Sequence, residues 1–304
     1  MATAILCPGQ GSQFVGMGAD LAQSDVDAAR IYAEADALLG WSVSDVSFNG
    51  PTEKLNDTRF TQPALYVHSF VSGTILSNVG IGFDYAAGHS LGEYSALALA
   101  GAIAFGDGLR LVQCRADAMA EAASARVGTM AAVIGLDEAE VIHALENIDG
   151  VVVANMNAPD QVVISGTREG VDAASQILTE LRAKRIVPLS VSGAFHSPLM
   201  ESAAERLRDA IAYTEIRQPR VPVVSNVTAK PTTDPVEIRD LLVRQLTSSV
   251  QWTASVRSLV ALGVTRAYEV GPGKVLQGLA RRIDRSIQVS GAGTAAELGA
   301  LRKE

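Results

Sequence analysis

Apolar and polar residues alternate with two different rhythms along this chain, and the rhythm changes at about residue 127. Before that point a short apolar run, Phe83 to Ala87, reads as a strand, and Leu91 to Ala104, rich in Ala and Leu, reads as a helix that follows it at once. A further helix is predicted from about Asp107 to Ala123. After residue 127 six elements follow: a strand Thr129–Leu136, a helix Asp137–Asn147 capped by Asp137, and a Val-rich strand Val151–Asn157. Asn157-Ala158-Pro159-Asp160 has turn composition, and Gln161–Thr167 makes the return strand. A helix Arg168–Lys184 then shows Val171, Ala174, Ile177, Leu178 and Leu181 on one face, before a last strand, Arg185–Val191. Strand, helix, strand, strand, helix, strand is the ferredoxin-like order. Residues 127–195 are therefore expected to form a small inserted ferredoxin-like domain. Residues 1–126 and 196–304 are expected to form one large, discontinuous α/β-hydrolase-like domain with a parallel sheet, and a functional site in the cleft between the two is expected.

The strand-to-helix junction carries the candidate chemistry. Gly88-His89-Ser90-Leu91-Gly92 has the Gly-x-Ser-x-Gly spacing of a nucleophile elbow, in which a serine on a strained turn stands above the end of a parallel sheet. Ser90 is the candidate nucleophile, and the backbone N–H of Leu91 follows from elbow geometry as an oxyanion donor. A serine hydroxyl needs a base at neutral pH. Of four histidines, His68 and His143 lie within helical runs, and His89 adjoins the nucleophile and shapes the turn. His196, in Gly193-Ala194-Phe195-His196-Ser197-Pro198, stands where a strand ends and a proline permits a new helix, which makes it the candidate base.

Composition narrows the setting. With 304 residues, 48% of them hydrophobic, the chain can build a substantial core, yet no run approaches the roughly 20 apolar residues of a membrane span. The N-terminal residues lack the basic start and long apolar stretch of a signal peptide, so a soluble, cytoplasmic protein is expected. A net charge of −8 without a basic, aromatic-interleaved stripe argues against nucleic acid as a partner. Cys7 and Cys114 have no metal-ligand spacing and read as free thiols, and neither a metal nor a cofactor is expected.

The order of motifs resembles that of the malonyl-CoA:acyl carrier protein transacylases of fatty acid synthesis. The resemblance rests on Pro8-Gly9-Gln10-Gly11-Ser12-Gln13, Thr61-Gln62-Pro63-Ala64, Gly88-His89-Ser90-Leu91-Gly92-Glu93 and Gln113-Cys114-Arg115. It continues through Asn157 to Gly166, Ala194-Phe195-His196-Ser197, Gln245-Leu246 with Trp252, and Gly271-Pro272-Gly273. Cys7 replaces a bulky apolar residue, and Ser249 a proline, of the family pattern. The resemblance implies a two-step transfer of a malonyl group from malonyl-CoA to the phosphopantetheine thiol of acyl carrier protein, with Ser90 acylated and His196 as base. It also implies a second oxyanion donor at the Gln10 backbone N–H, and Arg115 as partner of the malonyl carboxylate, with Met119 four residues on sharing its helix face. The Gln245 carbonyl is implied to orient His196, although an Asp or Glu from elsewhere could take that place. Phe195 before the histidine resembles the malonyl-using form. Because carrier proteins are acidic, local cationic patches are expected at Arg182, Lys184 and Arg185, or at Lys274, Arg281, Arg282 and Arg285. Nothing requires more than a monomer. The rival readings are a polyketide extender-unit acyltransferase, a serine hydrolase or thioesterase, and a noncatalytic carrier-binding module.

Overall fold

The first strand, β1 (Ala2–Cys7), is apolar because its Ala4, Ile5, Leu6 and Cys7 are covered on both faces. The computed structural model describes residues 1–302. β2 (Tyr85–Gly88) runs parallel to β1 with Gly88 opposite Cys7, so the two strands end at the same level. The helix after β2, Gly92–Leu99, is buried on every side, which explains its Ala and Leu content. It stops short of the expected Ala104, because Gly101 turns left-handed (φ 81°) and the Ala102 N–H bonds back to the Leu97 carbonyl. The chain then enters the helix Phe105–Ala125.

Four strands follow: β3 (Thr129–Ile134), β4 (Val151–Ala158), β5 (Gln161–Gly166) and β6 (Arg185–Pro188). They form an antiparallel sheet in the order β4-β5-β3-β6. The helices Glu138–Leu145 and Arg168–Glu180 bury Val141, Leu145, Val171, Ala174 and Leu178 against Ala131, Val133, Val162 and Ile164. The alternate residues Met130, Ala132 and Val163, with Ala154, join the main core instead, so the period of two divides this sheet between two cores. Asp137 and Glu140 close a reciprocal capping box at the helix start.

Several boundaries differ from the expectation: β3 ends at Ile134 rather than Leu136, the helix after it is Glu138–Leu145, and β5 ends at Gly166. β4 continues to Ala158, leaving only Pro159 and Asp160 for the turn, and β6 ends at Pro188 rather than Val191. The second helix ends at Glu180, so Leu181 lies beyond the apolar stripe and is 48% exposed, and Ile177, on the flank of that stripe, is 39% exposed.

β7 (Val223–Val224), β8 (Pro231–Thr232), β9 (Val264–Glu269) and β10 (Gln288–Gly291) complete a six-stranded sheet in the order β10-β9-β1-β2-β7-β8. All its neighbours are parallel except β7 and β8. The loops after β1 and β2 therefore leave the same carboxyl edge of a parallel sheet, where open α/β sheets bind ligands. No helix among the described residues is long and apolar enough to cross a membrane.

Candidate active site

Two glycines make the turn after β2 possible. A Cβ on Gly92 would lie 2.0 Å from the Cys7 carbonyl oxygen, and one on Gly88 would lie 1.9 Å from the Gly92 carbonyl carbon. With no side chain at either point, the chain crosses itself tightly and leaves Ser90 in the left-handed region at φ 50°. The strain is held by Asn226, whose Oδ1 accepts the Ser90 N–H at 2.6 Å and whose Nδ2 donates to the Gly88 carbonyl at 2.6 Å.

His196 reaches the elbow from the end of the antiparallel unit. Ser197 caps the one-turn helix Pro198–Met200, and His196 itself is left-handed at φ 57°. Its Nε2 lies 2.8 Å from Ser90 Oγ and its Nδ1 lies 2.9 Å from the Gln245 carbonyl oxygen. A carbonyl only accepts, so Nδ1 carries the proton and Nε2 is free to take the one on Ser90. Burial, together with the nearby Arg115 cation, pushes the imidazole down to about 3, so the ring rests neutral. Among the described residues no carboxylate hydrogen-bonds to it.

Arg115 is 1% exposed, unlike most helical arginines. Its Nη1 donates to Gln62 Oε1 at 2.6 Å, while Nη2 donates to Ser90 Oγ at 3.0 Å and to Gln245 Oε1 at 3.1 Å. The Arg115 Nε–H has no partner among the described residues. Met119 lies beside it and its sulfur accepts from Gln62 Nε2 at 3.4 Å. Ser90, His196, Arg115, Met119, Phe195, Gln10 and Leu91 all line one cavity of about 380 Å³, closed on the other side by Met130, Asn155 and Leu189 of the antiparallel unit. Neither the Gln10 nor the Leu91 backbone N–H is taken by an acceptor among the described residues. The structure thus brings together every predicted residue of the site apart from the cationic patches.

Those patches lie elsewhere. Arg185 pairs with Ile134, whereas Leu189 at the cavity pairs near Met130, so Lys184 and Arg185 stand about four residues, or roughly 13 Å of strand, from the cavity wall. Lys274, Arg281 and Arg285 line a separate groove of about 860 Å³ with Gln277 and Gln288. Gly273, the residue before Lys274, packs against the loop that carries Gln10, since a Cβ there would stand 3.4 Å from the Ser12 carbonyl oxygen. Arg282 pairs with Asp160 and donates to Gln161 Oε1 at 2.6 Å, and Lys274 pairs more loosely with Glu297 at 3.8 Å. His68 and His143 sit in helices as expected, His68 buried against the Gly293 carbonyl (2.9 Å) and His143 exposed. His89 Nε2 lies 2.7 Å from Asn157 Oδ1, which ties the elbow to β4. Ser249, where the family pattern has a proline, donates its hydroxyl to the Val153 carbonyl and so anchors the Gln245 segment on β4.

Three residues of the site have no predicted role. Gln62 and Glu93 stand inside motifs, but nothing local says where their side chains go; Asn226 carries no sequence signal. Glu93 is buried and accepts from Gln245 Nε2 at 2.7 Å and from the Asn226 N–H at 3.1 Å, and burial lifts its carboxyl to about 7.

The family described as the acyl transferase domain matches residues 5–304. Among curated proteins, the malonyl CoA-acyl carrier protein transacylase of Escherichia coli (strain K12) is 47% identical over 292 residues, covering 94% of both chains. Its Bacillus subtilis counterpart is 44% identical over 289 residues, 94% of this chain and 91% of the relative. An acyl carrier protein S-malonyltransferase structure from Vibrio cholerae superposes with a TM-score of 0.96 at 41% identity, over 99% of this chain and 100% of that one. A malonyl-transacylase solved in complex with a type II PKS acyl-carrier protein superposes with a TM-score of 0.96 at 38% identity, over 100% and 99% of the two chains.

Proposed function

The chain belongs to the acyl transferase domain family, and on that premise we propose that it is an acyl carrier protein S-malonyltransferase that carries malonyl on Ser90 between malonyl-CoA and the carrier thiol, supplying fatty acid synthesis. The observation that carries this reading is the buried Arg115 guanidinium 3.0 Å from Ser90 Oγ. A cation in a desolvated pocket beside a nucleophile suits an acyl group that ends in a carboxylate, and it serves neither a hydrolase of neutral esters nor a noncatalytic module.

In the first half-reaction Ser90 Oγ attacks the thioester carbonyl while His196 Nε2 takes its proton. The oxyanion is held by the N–H groups of Gln10 and Leu91. The C–S bond breaks, the coenzyme A thiolate takes the proton back from Nε2, and a malonyl ester remains on Ser90. The carrier's phosphopantetheine thiol then loses its proton to His196 and attacks that ester, and the proton returns to Ser90 Oγ. Throughout, the Gln245 carbonyl holds the Nδ1–H, and Met119 and Phe195 bound the acyl pocket.

The elbow above a parallel sheet supports the name α/β-hydrolase-like for residues 1–126 with 196–304. The order and pairing of β3 to β6 support a ferredoxin-like domain at 127–195. We assign the carrier-protein surface to Lys274 and Arg281, with Lys184 and Arg185 as outer contacts, and the setting to the cytoplasm, where Cys7 and Cys114 stay as the free thiols they are here. The likeness to a transacylase bound to a type II PKS carrier favours, as a second reading, a polyketide carrier as the acceptor.

The test is intact-mass analysis of wild type and Ser90→Ala after incubation with malonyl-CoA. Wild type should gain one malonyl group and lose it to added carrier protein, while the folded variant gains none. Malonyl mass on Ser90→Ala, or transfer by it at the wild-type rate, would overturn the covalent route.

A further inference from the structure

We propose that Glu93 is the positioning residue of this site: its carboxylate oxygen sets the Gln245 side-chain amide and the Asn226 loop at once, and through them the pose of Arg115 and of the Ser90 elbow. The proposal rests on the transfer reading given above and deepens it.

Glu93 lies in the first turn of the helix Gly92–Leu99, directly behind the elbow, and is 4% exposed. One oxygen, Oε2, accepts both the Gln245 Nε2–H at 2.7 Å and the Asn226 backbone N–H at 3.1 Å. The first bond decides which way the Gln245 amide faces. Nε2 is fixed toward Glu93 and toward the Ser90 carbonyl at 3.1 Å, so Oε1 must face Arg115 Nη2. The opposite orientation would set an NH2 group against the guanidinium and leave a buried carboxyl oxygen facing another oxygen, at a cost of about 1–3 kcal/mol for each unpaired group. The same residue, Gln245, supplies the carbonyl that holds His196 Nδ1. The second bond fixes the backbone of Asn226, whose side chain grips both sides of the strained Ser90 turn. Glu93 touches no reacting atom, yet the acceptor at its Oε2 determines where the base, the nucleophile and the carboxylate-binding cation stand.

What matters in this arrangement is an acceptor at one point in space more than a full charge. Burial lifts the Glu93 carboxyl to about 7 against the opposing pull of its Gln245 and Asn226 bonds, and the two bonds that Oε2 accepts need only its lone pairs.

Two conservative variants separate acceptor position from charge. Glu93→Gln keeps the length and an acceptor at the Oε2 position and removes the charge; Glu93→Asp keeps the charge and withdraws the acceptor by one methylene. Ser90 loading from malonyl-CoA and from acetyl-CoA is measured by intact mass for both variants and wild type, with thermal unfolding as the control for folding. Glu93→Gln should load malonyl within a few-fold of wild type and keep the wild-type malonyl-to-acetyl preference. Glu93→Asp should load malonyl roughly ten- to hundred-fold more slowly, the size expected when reacting groups shift by about 1 Å, and its preference for malonyl should shrink because Arg115 has lost its fixed acceptor. The proposal is overturned if Glu93→Asp matches or exceeds Glu93→Gln, or if both fall equally with their acyl preference unchanged. Failure of wild type itself to take up malonyl would overturn the transfer reading instead.

Discussion

Replacing Arg115 by Ala should invert the acyl preference of this enzyme while sparing its basic chemistry. The guanidinium uses three of its five N–H donors, on Gln62, Gln245 and Ser90, so donors are left for an incoming carboxylate. Each charge-assisted bond is worth about 1.5–3 kcal/mol, so malonyl loading should fall by roughly ten- to hundred-fold or somewhat more. Acetyl has no carboxylate to lose. The Arg115 cation also helps to hold His196 at about 3, so its removal makes the imidazole a stronger base, and acetyl loading should hold or rise. The assay is the rate of Ser90 acylation from both thioesters, read by mass, with thermal unfolding to show that the cavity left by the side chain has not melted the fold. A parallel decline of both activities in a folded variant would refute the argument and make Arg115 a structural or coenzyme-binding residue.

Reversing Lys274 and Arg281 together to Glu should weaken use of the carrier protein while leaving self-acylation near wild type, and reversing Lys184 and Arg185 should do so less, given their distance from the cavity. Equal loss of both half-reactions would refute the patch, and raised salt should reproduce its selective effect because exposed charges are screened within about 10 Å at 0.1 M ionic strength. Acid stability gives a further check. His196 and His68 are held neutral by burial, at about 3 and about 4, whereas in the unfolded chain they titrate near 6.5. Below 6.5 the unfolded state binds more protons than the native one, so their contribution is fully present above 6.5 and is lost as pH falls towards 4 and then 3. Glu93, lifted to about 7, acts in the opposite sense between 7 and its ordinary value. Replacing His68 with an apolar residue of similar size should therefore flatten the loss of denaturant stability between pH 6.5 and 4, and an unchanged slope would count against a neutral, buried His68.

What could be read from the sequence alone is what near neighbours determine. Gly88 and Gly92 around Ser90 dictate a turn that only those residues permit. The capping pair Asp137 and Glu140 starts a helix, and the period-two strands after residue 127 appear nearly where expected. His196 stands out because Pro198 opens a new helix just after it, although the strand expected to end there stops earlier, at Pro188. Arg115 became a candidate only through the family likeness, since a helical arginine by itself points to solvent. The tertiary structure decided the rest. Ser90 and His196 meet across 106 positions, and Arg115 and Gln245 across 130. Glu93, Gln62 and Asn226 acquire roles only because burial denies them water and leaves one another as partners. Packing likewise exposed Ile177 and Leu181 and occupied Arg282 with Asp160. Local sterics act within a few residues and are written in the order of the amino acids. The direction of a buried amide, the proton affinity of a histidine and the freedom of a surface arginine depend on which distant groups the fold brings within about 3 Å, and that is settled only when the chain has closed on itself.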